Sequence, residues 1–154
     1  MCSSDLENLG FCGFMRSAAT ILADDPIFGR FCYGGLWSQS GGTNQITPLD
    51  GVRKRFHAML GTNQIHLVLD VDRFPATQSI ACKDDQSLIR FQVESGNPSG
   101  HSAALHLTVS TAGLYTISNN HGLVTTTNLL VGEEAVISLS VDGGATAQPF
   151  TISR

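Results

Sequence analysis

Ile65-His66-Leu67-Val68-Leu69-Asp70-Val71-Asp72 is the stretch that decides the fold. Ile65, Leu67, Leu69 and Val71 alternate with His66, Val68, Asp70 and Asp72, so an extended chain has one oily face and one wetter face. The same period of two returns in Ile89-Phe91-Val93, Leu105-Leu107-Val109 and Ala135-Ile137-Leu139-Val141. That is the signature of half-buried antiparallel strands. Thr77–Cys82, Leu114–Ser118, Val124–Leu130 and Pro149–Ser153 read as further, shorter strands. Ser95–Gly100, Asn119–Gly122 and Asp142-Gly143-Gly144 supply turn chemistry between them. Eight or so short strands so spaced predict a mainly β chain folded as an antiparallel two-sheet β-sandwich. No repeat of fixed period and no low-complexity tract is present.

Upstream the pattern changes. Leu6, Leu9, Cys12, Met15, Ala19 and Leu22 recur at three- and four-residue spacing, which predicts one N-terminal helix over 4–23. Ser3 or Ser4 would cap it, and Asp24-Asp25-Pro26 would end it. From Ile27 to Gln45, Phe28, Phe31, Tyr33, Leu36 and Trp37 stand among Gly29, Gly34, Gly35, Gly41 and Gly42, which reads as an aromatic, glycine-rich ordered loop. Asp50-Gly51 marks a turn, and Val52–Leu60 alternates as a first strand. The expected division is therefore 1–47, a helical remnant with its loop, and 48–154, the sandwich. The large aromatics of 28–37 are expected to need a covering surface.

The 154 residues carry 9 basic and 13 acidic side chains, a net charge of −4 that offers no general attraction for nucleic acid. No apolar run reaches the ~20 residues of a membrane span, and the start lacks the basic region of a signal peptide. Cys2, Cys12, Cys32 and Cys82 have no C-x-x-C spacing; buried free thiols are expected, with the three possible disulfide pairings left open. Asn97 is followed by Pro98, so it forms no glycosylation sequon.

Few constellations suggest chemistry. Asp24 and Asp25 sit beside the aromatic cluster, but glycosidic carboxylates must face each other across a sugar at ~5–9.5 Å, and neighbours before a proline more readily form a capped turn. Arg53-Lys54-Arg55-Phe56-His57 is the basic run. As a strand it puts Arg53, Arg55 and His57 on one face, able to hold a carboxylate or phosphate, or simply to stand in solvent or pair with Asp24, Asp25 or Asp50. His66 and His106 fall on polar faces with Asp70 and Asp72 nearby, while His101 and His121 fall in turns; no spacing implies a metal, and no cofactor is expected. There is no nucleophile elbow and no phosphate loop. Tyr33 and Trp37, with Phe31, are the candidates for stacking on a sugar ring, with Gln39 and Asn44 near enough in sequence to reach hydroxyls and Asp24 and Asp25 at the rim.

Asp24-Asp25-Pro26-Ile27-Phe28-Gly29-Arg30-Phe31-Cys32-Tyr33-Gly34-Gly35 resembles a segment near the end of large carbohydrate-active proteins, the six-hairpin glycosidase-like class, in which a toroidal helical domain precedes β-sandwich regions. Pro48–His57 resembles the strand that links the two, and Gly113-Leu114-Tyr115-Thr116-Ile117 with Gly132-Glu133 is similar to accessory sandwich domains. The resemblance implies a C-terminal fragment of an extracellular parent, whose helical catalytic domain is the partner and whose ligand is a polysaccharide or oligosaccharide. It transfers no catalytic residue to this chain. The leading expectation is a non-catalytic accessory sandwich. A self-sufficient carbohydrate-binding module using Tyr33 and Trp37, and an adhesion sandwich that binds another protein, are the alternatives.

Overall fold

A computed structural model of the protein describes residues 19–142 and 147–154. These residues form two sheets and no helix. The strands are β1 (Ala19–Asp25), β2 (Gly29–Tyr33), β3 (Gly35–Ser40), β4 (Thr43–Pro48), β5 (Arg55–Leu60), β6 (Asn63–Leu69), β7 (Ile80–Lys83), β8 (Leu88–Val93), β9 (His101–Val109), β10 (Gly113–Asn119), β11 (Gly122–Leu129), β12 (Glu134–Val141) and β13 (Gln148–Ser153). The first sheet runs β12-β9-β6-β5-β1-β2 and the second β11-β10-β13-β8-β7-β4-β3. Every pairing is antiparallel except β1 with β5. That parallel pair requires a long connection, and β2 through β4 supply it by crossing to the second sheet and back.

The alternating runs do what their period demands. Leu22, Phe56, Ala58, Ile65, Leu67, Leu105, Leu107 and Leu139 of the first sheet meet Ile46, Ile80, Ile89, Phe91, Ile117, Phe150 and Ile152 of the second in one buried core. Phe91 lies at its centre, edge-on to Phe74 (ring centroids 5.8 Å apart) and stacked on Phe150 (5.7 Å). The sandwich expectation therefore holds.

The N-terminal helix is not supported, and its last five residues are a strand. Residues 4–18 of that expectation lie outside the described residues, and Ala19–Ala23 belongs to β1, paired on one side with β2 and on the other with β5. Thr20-Ile21-Leu22 contains two β-branched residues, and alternation explains both of its faces: Leu22 enters the main core, while Ala19, Ile21 and Ala23 form a separate buried cluster with Tyr33 and Met59. Ala19 and Leu22, the two residues of that spacing that are described, sit on a strand buried on both faces.

The aromatic loop is corrected as well. Residues 29–48 form three strands, with Gly34 and Gly41-Gly42 between them. Gly41 and Gly42, at φ 60° and 78°, make the two-residue left-handed turn joining β3 to β4. Gly34 and Gly35 form the corner at which the chain leaves one sheet for the other. A Cβ on Gly34 would lie 2.7 Å from the Ala19 carbonyl oxygen, and one on Gly35 would lie 2.6 Å from that of Thr47. The expected division at residue 48 falls inside this pairing, since β1 bonds to β5 and β4 to β7. The Asp50-Gly51 turn forms as read: the Asp50 carboxylate accepts from the amides of Val52 and Arg53 and from the Thr20 hydroxyl. It displaces Val52–Lys54 from the expected strand, which starts at Arg55.

Candidate functional site

Two regions concentrate polar chemistry. The first closes the sandwich where the edge strands β2 and β3 meet. Arg30 on β2 binds both oxygens of Asp24 on β1 (2.7 and 3.2 Å) and reaches across to Asp84 (2.6 Å) and Asn44 (3.2 Å), which belong to the second sheet side. Asn44 is fully buried; its amide donates to the Cys82 carbonyl and to Asp84, and its oxygen accepts the Trp37 indole N–H at 2.9 Å. Gln39 adds a bond to Asp84, and Asp24 accepts from the Gly61 amide. The Arg30 bond is the largest influence holding the Asp24 carboxyl below its ordinary range. For Asp84 it is the Asn44 amide, with Arg30 contributing after it. Carboxylates so held accept hydrogen bonds and are poor proton donors at neutral pH.

This geometry separates the sugar-site candidates. Asp24 and Trp37 are joined through Arg30 and Asn44, but Trp37 packs its ring on the core instead of presenting it as a platform. Tyr33 stands on the first sheet with Ala19, Ile21, Ala23 and Met59. Asp25 is taken up by the hairpin turn, accepting from the amides of Ile27 (2.7 Å) and Phe28 (2.9 Å), which keep its pKa low. Cys82 and Cys32 are free thiols pushed up by burial to about 12 and about 11, and so remain protonated. Among the described residues no three His, Cys, Asp or Glu side chains converge as a metal site, and no helix is long and apolar enough to cross a membrane.

The second region is a cleft of about 700 Å³ on the outer face of the first sheet, lined by Lys54, Arg55, His57, His66, Thr108 and Glu134 among others. Register builds it. His57 faces His66 across β5–β6, His66 faces Thr108 across β6–β9, and Thr108 faces Glu134 across β9–β12. Arg55 stands two residues before His57 on the same face, as the basic run led us to expect, whereas Arg53 leaves the strand (φ 60°) and approaches Glu94. The His57 and His66 rings meet edge-on, centroids 4.3 Å apart. Burial, aided by His66 and Arg55, lowers His57 to about 4, and burial also lowers His66, so both rings are neutral at pH 7. His106 hydrogen-bonds Glu134 through Nδ1. Thr108 and Glu134 went unremarked in the sequence because only strand register brings them to the basic run. No family model, curated protein or solved structure matches the chain.

Proposed function

We propose that the chain is the non-catalytic β-sandwich region of a glycoside-hydrolase-like protein, seated against a helical catalytic domain and supporting carbohydrate processing from there. One observation carries the reading. The tip of the β1–β2 hairpin offers Ile27 at 81% and Phe28 at 87% exposure, on a turn that the Asp25 carboxylate holds in shape. Large apolar side chains fixed in water at a sheet edge suit a contact with another folded surface. Asp24 is committed to Arg30 and the Gly61 amide, which suits a structural role for that carboxylate.

The test combines sequence and solution. The frame upstream of Met1 is expected to encode paired amphipathic helices. The protein is expected to bind a hydrophobic dye, with the signal falling in Phe28→Ser at unchanged thermal midpoint. A frame without such helices, or a protein silent to dye, overturns the proposal.

A further inference from the structure

We infer that the outer-face cleft of the first sheet binds the carboxylate of an acidic saccharide residue, with Arg55 as its anchor and His66 and Thr108 as hydroxyl partners. The inference rests on the carbohydrate part of the functional reading and adds the ligand class and its site.

The argument is one of engaged and open groups. Two carboxylates also line the cleft, each with one oxygen engaged: Asp70 Oδ1 accepts from the amides of Val71 (2.7 Å) and Ala104 (2.8 Å), and Glu134 is bonded to His106. Lys54 donates to the Asp70 carbonyl at 2.9 Å. Arg55 is exposed and has no ion pair or side-chain hydrogen bond among the described residues, so of the two cations lining the cleft it is the one whose side chain is not engaged. Its planar fork matches a carboxylate in two parallel hydrogen bonds.

The neutral partners follow along the register. His66 Nε2 is buried with no hydrogen-bond partner among the described residues, which leaves Nδ1 as the nitrogen able to meet a ligand. Thr108, opposite His66 on the next strand, offers a hydroxyl that donates and accepts. Neighbouring strands lie ~4.8 Å apart, so His66 and Thr108 present polar atoms at a separation that adjacent ring hydroxyls can span, with Arg55 to one side on β5. The planar Arg55 fork beside two neutral hydrogen-bonding groups suits a sugar acid, whose carboxylate takes two parallel hydrogen bonds while its hydroxyls meet His66 and Thr108. The volume suits a ligand of one or two sugar rings.

The experiment titrates the whole protein with oligogalacturonate, a neutral glucan oligomer of equal length, and inorganic phosphate, following binding heat and the His66 and Thr108 resonances. Oligogalacturonate is expected to bind and move both resonances. Arg55→Gln is expected to weaken it at least tenfold and Thr108→Val severalfold, at wild-type thermal midpoints. Three results overturn the inference: no binding of oligogalacturonate, binding indifferent to Arg55→Gln, or phosphate binding as tightly. Binding of the neutral glucan alone would also overturn it while leaving the carbohydrate reading intact, and the upstream frame tests the docking reading independently.

Discussion

His57 illustrates how a residue's chemistry is set by what surrounds it. In the sequence it closes a basic run; in the fold it is 6% exposed and edge-on to His66. Burial lowers its pKa from 6.5 to about 4, so the folded state favours the neutral ring more than the unfolded chain does. The contribution is complete above pH 6.5 and is lost as pH falls towards 4, because the unfolded chain gains a proton that the folded one resists. His66 shifts in the same sense. His101, raised by the Ser99 carbonyl and Asp72, acts oppositely and stabilises on the acid side. Chemical unfolding at pH 7 and pH 5 should therefore show the stability of the wild type falling relative to His57→Gln on acidification. A constant difference between the two proteins would contradict the burial-driven shift.

At the scale of elements, the corner between β2 and β3 is the most demanding point. Gly34 sits at φ 74°, its carbonyl accepts from the Thr20 hydroxyl and the Leu49 amide, and a Cβ there would collide with the Ala19 carbonyl. The oxygen is backbone and a Cβ is fixed rigidly to the main chain, so neither can swing aside. Gly34→Ala is expected to cost about 2–4 kcal/mol, combining left-handed strain with displacement of β1. Gly41→Ala has the same kind of backbone conformation (φ 60°) with open space around it, and should cost only about 1–2 kcal/mol. Thermal midpoints of the two variants check the contrast, and equal losses would mean that the corner is looser than its distances imply. These hairpins were partly legible: Ser40-Gly41-Gly42-Thr43 is a recognisable two-residue turn, but the scattered aromatics around it hid the strands. Trp37 faces Asn44 and the core whereas Leu36 faces water, an alternation too short to stand out from the flanking glycines.

Over the whole molecule, residues 19–48 are woven into both sheets. β1 adds to the side of β5, β4 covers β7, and Arg30 ties the two sheet edges together. A chain limited to 48–154 would expose the β5 and β7 edges and lose Leu22 and Ile46 from the core. It is expected to aggregate or to lack a cooperative unfolding transition, measurable by denaturant titration against the full chain. A monomeric 48–154 with an undiminished denaturant slope would show that the first four strands are an appendage. The sequence by itself determined the alternating strands from β6 onward, the core they share and the turn at Asp50, because a period of two buries one face whatever the partner strand is. Tertiary structure alone decided that Ala19–Ala23 is a strand, that Asp24, Arg30, Asn44, Trp37 and Asp84 form one network, and that His66, Thr108 and Glu134 line up beside Arg55. Those are pairings between distant segments, and a local pattern carries no record of which strand becomes its neighbour or in which register.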